Sequence, residues 1–260
     1  METVSVERAG GVVTVTLNRP ERKNALTAEM IEELRVTFDT VARRTEDRVL
    51  VLTGAGGDFC SGADLSDTAR PSAGDPASAL EGVRRVADLA LSLHRLAKPT
   101  IAKVDGVAVG AGLGLAIACD LVVASGRARL SMIFVRRALS PDCGTSWLLP
   151  RLVGTAKAKE LAFFGDVVDA ETAMRIGLVN RVVASADLDA AVTHWAVTLA
   201  EGASLALSTT KVLLDAAWSA SFAEALEHEA DCQAANLAGA DVREAVAAFL
   251  EKRAPRFGVR

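Results

Sequence analysis

A chain of 260 residues, half of them hydrophobic, is long enough to bury a large core, which excludes a disordered segment or a small disulfide-stapled module. With 29 Lys and Arg against 33 Asp and Glu the formal charge is −4 and the pI near 5.5, against the basic surplus that a nucleic-acid platform needs. Cys60, Cys119, Cys143 and Cys232 form no CxxC pair, so reduced thiols are expected, with no disulfide frame and no metal.

The opening METVSVERAGGVVTV has no basic stretch leading into an apolar core, and later apolar runs are broken by charges. A cytoplasmic protein without membrane insertion is expected. VVTVTL (Val12 to Leu17) alternates as a strand after the Gly10-Gly11 turn, and Asn18 to Lys23 is a loop. Thr27 can cap a helix whose apolar face is Met30, Ile31, Leu34, Phe38 and Val41. VLVLT (Val49 to Thr53) predicts a buried strand that runs into the glycine-rich loop GAGGDFCSGADL. Ser66 to Ala79 has no periodicity and reads as a mobile pocket wall; a helix is predicted from Leu80 to Leu96.

Thr100 to Val104 and Leu121 to Ala124 predict two more strands, and glycine follows each run at Gly54, Gly106 and Gly126, as a repeat of strand, turn and helix would require. After Pro150 helix follows helix: 155–164, 169–176 with Asp169 as cap, 186–201, 204–217, 222–237 and 241–252, the last with Asp241 and Glu244 at capping-box spacing.

The chain centres on KVDGVAVGAGLGLAIACD (Lys103 to Asp120), read as strand, glycine turn and a helix start with bare N–H groups suited to negative charge. It is not a dinucleotide fingerprint. The third glycine of GxGxxG would fall on Leu115, and Asp120 comes too soon for a ribose-binding acid.

GDFCSGADL (Gly57 to Leu65), IAKVDGVAVGAGLGLAIACDL (Ile101 to Leu121) and LSPDCGTSWLLPRLVG (Leu139 to Gly154), in that order, resemble the enoyl-CoA hydratase/isomerase, or crotonase, family. The likeness extends from NRPERKNAL (Asn18 to Leu26) to FLEKRAPRF (Phe249 to Phe257). It implies an α/β fold: a crotonase-like spiral of β-β-α repeats over residues 1–200, with a C-terminal helical trimerisation region over 201–260. It also implies an acyl-CoA thioester substrate, coenzyme A entering as part of that substrate, and a homotrimer or hexamer.

By the same resemblance, the backbone N–H groups of Ala63 and Ala111 would form the oxyanion hole. Arg22, Lys23, Asn24 and Ala25 would lie by the coenzyme, with Asp64 and Leu65 continuing that wall, and Phe249 and Lys252 would reach the coenzyme of a neighbouring subunit. A hydratase needs two glutamates, one as base toward water and one as acid toward the α-carbon. Their positions are matched here by Gly114 and Phe134, which carry no proton.

Asp142 is the carboxylate that remains, either a catalytic acid/base or a turn and helix cap. One acid can return a proton to a second carbon, so double-bond isomerisation is favoured over hydration, with non-catalytic acyl-CoA binding as the alternative. Asp120 and Asp64 read as structural, and His94, His194 and His228 as structural or surface residues. Cys60 and Cys143 read as small buried residues, and Arg136 and Arg137 as a ligand contact or a solvated face.

Overall fold

The structure, a computed structural model, describes residues 2–64, 66 and 76–258. Strands β1 (Val4–Ala9), β2 (Val12–Leu17), β3 (Val49–Gly54), β4 (Thr100–Val104), β5 (Val107–Val109), β6 (Leu121–Ser125), β7 (Arg129–Ser131), β8 (Val167–Asp169) and β9 (Arg181–Val183) form two sheets. The larger runs β1-β2-β3-β4-β6-β9, antiparallel between β1 and β2 and parallel thereafter; the smaller runs β5-β7-β8. The helices are α1 (Ala28–Arg43), α2 (Pro76–His94), α3 (Ala111–Ala118), α4 (Thr145–Val153), α5 (Thr155–Phe164), α6 (Ala170–Arg175), α7 (Leu188–Ala200), α8 (Ser204–Ala216), α9 (Phe222–Ala238) and α10 (Ala240–Glu251).

Strand alternation sets which helices cover which face. Val13, Val15, Leu17, Leu50, Leu52, Ala102 and Val104 join Met30, Leu34 and Phe38 of α1 and Leu89 and Leu93 of α2 in the main core. Val49, Val51, Ile101 and Val123 point to the opposite face and pack on Leu188, Ala191, Val192 and Ala196 of α7. Each fully buried side chain of this size contributes about 1.5–3 kcal/mol of transfer free energy. Helix α1 starts where expected, with Thr27 Oγ1 accepting from Met30 N at 3.2 Å.

The chain passes from the larger sheet to the smaller at Asp105-Gly106, and then into α3, giving the expected strand–strand–helix unit. Gly106 has φ +55°, and a Cβ there would meet Asp58 Oδ1 at 2.3 Å and Gly57 O at 2.4 Å, so no other residue fits the switch.

Several elements differ from expectation. Val4–Ala9 is a strand, paired to β2 through the Gly10-Gly11 turn, whose φ values of +57° and +82° suit a tight hairpin. Strands β8 and β9 interrupt the region expected to be helical throughout, and the helical region begins before Pro150, which lies inside α4. Helix α2 begins at Pro76, four residues before Leu80; of the expected mobile wall, residues 67–75 lie outside the described residues.

Asp169 caps α6, accepting from Thr172 N at 2.7 Å. Asp241 and Glu244 form no capping box, because α10 starts at Ala240 with Gly239 as N-cap; Asp241 Oδ1 accepts from Gly258 N, and Glu244 binds Arg253 and Arg256 N. A capping box does form at Ser221 and Glu224, at the start of α9.

Candidate active site

Beyond β3 the chain forms a turn at Ala55–Gly57 and then runs beside β5. Cys60 N donates to Val107 O (2.9 Å), and Val109 N donates to Cys60 O (3.0 Å). Two residues later the same segment pairs with the loop before α1: Leu26 N donates to Gly62 O (2.8 Å) and Asp64 N to Leu26 O (2.9 Å). This pairing uses the groups on either side of Ala63 and leaves the Ala63 N–H without an acceptor among the described residues, at an exposed position.

Helix α3 supplies a second donor, free among the described residues. Its N-cap Gly110 has φ +58° and donates to Ser131 O at 2.9 Å, while Ala111 opens the first turn, where N–H groups have no partner within the helix. The two segments touch. A Cβ on Gly62 would lie 3.5 Å from Ala111 N, and one on Gly112 would lie 2.3 Å from Cys60 O. Glycine at 62 and 112 therefore lets two stretches of main chain lie together with the Ala63 and Ala111 N–H groups uncommitted. Donors fixed in this way can stabilise negative charge developing on an oxygen.

The Ala63 loop is held by charge. Asp64 accepts from Ser66 N (3.1 Å) and Ser66 Oγ (2.7 Å) and pairs with Arg19 Nη1 at 3.0 Å. The Ser66 hydrogen bonds, ahead of the Arg19 charge, hold its pKa below the usual carboxylate range. Arg19 Nη1 also donates to Ala25 O at 2.6 Å, tying this loop to the Arg22–Ala25 turn.

In that turn Lys23 and Asn24 both adopt left-handed φ (+48° and +54°). Asn24 is fully buried. Its side chain donates to Ala55 O and Asp58 O and accepts from Arg19 N, so it organises the loop rather than facing out of it. Lys23 Nζ lies 3.7 Å from Asp58, Arg22 is exposed and Ala25 is buried; Leu65 lies outside the described residues. Phe249 is 82% exposed at the end of α10, where Lys252 forms a left-handed C-cap.

Asp142 is partly buried in the loop before α4. Its Oδ1 has no hydrogen-bond partner among the described residues, and burial raises its pKa. Its side chain does not cap α4. The turn is closed instead by the Asp142 carbonyl, which accepts from Thr145 N (3.0 Å) and Thr145 Oγ1 (2.7 Å). The next residue, Cys143, is buried with φ +52° and meets the first turn of α3: a Cβ on Gly114 would lie 2.7 Å from Cys143 Cβ and 2.9 Å from its Sγ. Phe134 is buried, with its ring 3.9 Å from a Cβ position on Gly110.

The structure thus brings Ala63, Ala111, Gly114 and the Asp142–Cys143 turn into one neighbourhood and leaves Phe249 and Lys252 at the far end of the helical tail. A cavity of about 760 Å³ is lined by Gly144, Trp147, His94 and Asp215 among others, and not by Ala63, Ala111 or Asp142.

Asp120 is structural: its carboxylate accepts from Thr100 N and Oγ1 at 2.7 and 2.9 Å and pairs with Lys211. Arg136 is engaged by Phe164 O and Asp166. His94 stands edge-on to Trp147, with ring centroids 5.6 Å apart. Cys143 is buried as expected, while Arg19 and the contact of Cys143 with Gly114 escaped sequence reasoning. Neither has a local signal, since each acts on a partner distant in the chain.

Residues 7–260 match the family described as Enoyl-CoA hydratase/isomerase. The 1,2-epoxyphenylacetyl-CoA isomerase of Escherichia coli (strain K12) is 39% identical over 258 residues, covering 99% of this chain and 98% of that protein. The crystal structure of enoyl-CoA hydratase from Mycobacterium smegmatis has a TM-score of 0.93 at 34% identity, covering 100% of both chains. That of enoyl-CoA hydratase from Bacillus anthracis has a TM-score of 0.93 at 30% identity, covering 98% of each. The agreement spans both glycine-bearing segments and the helical tail, and the fold is the expected α/β crotonase fold. This chain belongs to the enoyl-CoA hydratase/isomerase family and is an enzyme of that family.

Proposed function

We propose that the enzyme moves a carbon–carbon double bond in an acyl-CoA thioester by a one-carboxylate proton shuttle, rather than by adding water. The observation that carries this reading is Asp142, an acid with a buried oxygen unpartnered among the described residues, whose neighbour packs on the first turn of α3, beside two positions, Gly114 and Phe134, that hold no acid. The Escherichia coli relative, itself named an isomerase of a CoA thioester, supports the same choice, although other relatives are named hydratases.

In the proposed reaction the thioester oxygen accepts from the Ala63 and Ala111 N–H groups. Asp142 takes a proton from one carbon of the acyl chain, and the electron pair moves through the chain to make an enolate. Asp142 then returns the proton to a different carbon, and the double bond reforms one position along. Each backbone donor is expected to contribute about 3 to 4 kcal/mol to the enolate-like transition state. Burial favours the neutral acid, so less driving force is needed for Asp142 to take a weakly acidic C–H proton than for an ordinary carboxylate.

Coenzyme A enters as part of the substrate, against the Arg22–Ala25 turn and Asp64, with Leu65 next in the chain; Arg22 and Lys23 supply positive charge for its phosphates. Residues 1–200 would carry this site and 201–260 the assembly contacts, with Phe249 and Lys252 reaching a neighbouring subunit's coenzyme in a trimer or hexamer. The apolar side chains exposed on α8 to α10, among them Leu214 at 66%, Phe222 at 80% and Phe249 at 82%, support assembly through these helices.

Purified protein incubated with short, medium and long 2-enoyl- and 3-enoyl-CoAs should change the conjugated-thioester absorbance with no change in substrate mass. Saturable binding with no turnover of any of them would replace this reading with one of acyl-CoA binding alone.

A further inference from the structure

We propose that Cys143 is a specificity-determining residue: packed into the gap that Gly114 leaves, it keeps water from the acyl chain beside Asp142 and so commits the enzyme to returning the proton. The inference rests on the isomerase reading above. It starts from a steric fact: Gly114 and Cys143 cannot both carry unshifted side chains. A Cβ at 114 would stand 2.7 Å from Cys143 Cβ, 2.9 Å from Cys143 Sγ and 3.0 Å from Cys143 O, and real Cβ atoms do not approach other atoms this closely at the first two distances.

The cysteine is 1% exposed and sits at φ +52°, a left-handed conformation uncommon for a residue with a side chain. Such a conformation persists where its surroundings over-determine it. Here the glycine opposite makes the room, and the turn closed onto Thr145 holds the backbone. The thiol is a small apolar plug one residue from Asp142, whose buried Oδ1 has no hydrogen-bond partner among the described residues, and burial keeps the thiol protonated.

The chemistry follows from what reaches the enolate. Hydration at a site with one acid requires a water oxygen to bond to the β-carbon while Asp142 takes its proton and a proton passes from Asp142 to the α-carbon. Isomerisation requires neither a water nor a second base, since the proton that leaves one carbon for Asp142 comes back at another. A plug that excludes water from the Asp142 side blocks the first path and leaves the second open.

The test compares wild type with Cys143→Ser and Cys143→Ala on a 2-enoyl-CoA, measuring by mass spectrometry the ratio of hydrated to isomerised product. The hydrated fraction should rise at least about tenfold in both variants, a partition well within what one repositioned group can achieve. An unchanged partition in variants that still isomerise would overturn the role of Cys143 and leave the isomerase reading standing. Absence of wild-type turnover on every enoyl-CoA would overturn both.

A second measurement uses wild type alone. In D2O a protected site should return most of the transferred hydrogen unlabelled, whereas one solvent deuterium incorporated at every turnover would contradict a site closed to water.

Discussion

Arg19 and Asp64 join the two loops on which the proposed thioester site depends. The guanidinium reaches the carboxylate at 3.0 Å and the Ala25 carbonyl at 2.6 Å from the same nitrogen, with both side chains mostly shielded from solvent (18% and 14% exposed). Arg19→Ala should therefore loosen the Ala63 loop and the Arg22–Ala25 turn together. Breaking a pair at this depth costs less than the about 3–5 kcal/mol of a fully buried one, and a loss of roughly 1–3 kcal/mol is expected here. Measured kcat/KM for enoyl-CoA should fall about tenfold or more, with a lowered Tm. Unchanged kinetics would mean that the loop holds its shape without the pair.

Gly112→Ala tests the contact between the two donor segments. The new Cβ would lie 2.3 Å from Cys60 O and 2.8 Å from Cys60 Cβ, so one segment must move. Overpacking of this kind costs about 1–3 kcal/mol. Thermal unfolding should report that loss, and turnover should drop further than stability does, because the displacement separates Ala111 from Ala63.

Asp142→Asn should separate function from stability. Turnover is expected to fall about 100-fold or more, the usual scale for removing an acid/base group, while CoA binding, followed by calorimetry, persists. Folding raises the Asp142 pKa, so the native state favours the neutral acid, and the ionised carboxylate destabilises it above that raised pKa. The variant should thus be more thermostable than wild type at neutral pH, and the gain should vanish as pH falls below the unfolded-state value of about 3.9. In wild type the acidic limb of the pH–rate profile should lie above that of an ordinary aspartate. A variant that is less stable at neutral pH would mean that Asp142 is held by favourable contacts.

The exposed apolar residues of α8 to α10 predict assembly. Sedimentation should find a trimer or hexamer, and Phe249→Ser with Leu250→Ser, both above 70% exposed in the single chain, should shift it toward monomer. A wild-type monomer that binds acyl-CoA with full affinity would remove the shared site.

Much of the fold was legible because its signals are local. The runs at 12–17, 49–54 and 100–104 alternate or stay apolar, and the α1 stripe keeps helical spacing from Met30 to Val41. Strands β5, β7, β8 and β9 are three residues each, too short for periodicity, and they exist because neighbouring turns of the spiral present edges for them.

The proposed site was reached by a different route. Ala63 and Ala111 would act through N–H groups that every residue but proline has, so only their motifs mark them. The Asp142–Cys143–Gly114 contact needs a left-handed cysteine facing a glycine from another element, which no spacing rule describes. Asp241 misled because the helix starts one residue earlier, at Ala240 with Gly239 as N-cap, which puts Asp241 inside the first turn, where it accepts from Gly258 N instead.

The most direct measurement is a structure with an unreactive acyl-CoA bound. The account predicts the thioester oxygen within about 3 Å of both Ala63 N and Ala111 N, and an Asp142 carboxylate oxygen within about 3.5 Å of the carbon that loses its proton. A thioester oxygen held elsewhere, or a different carboxylate against that carbon, would contradict it.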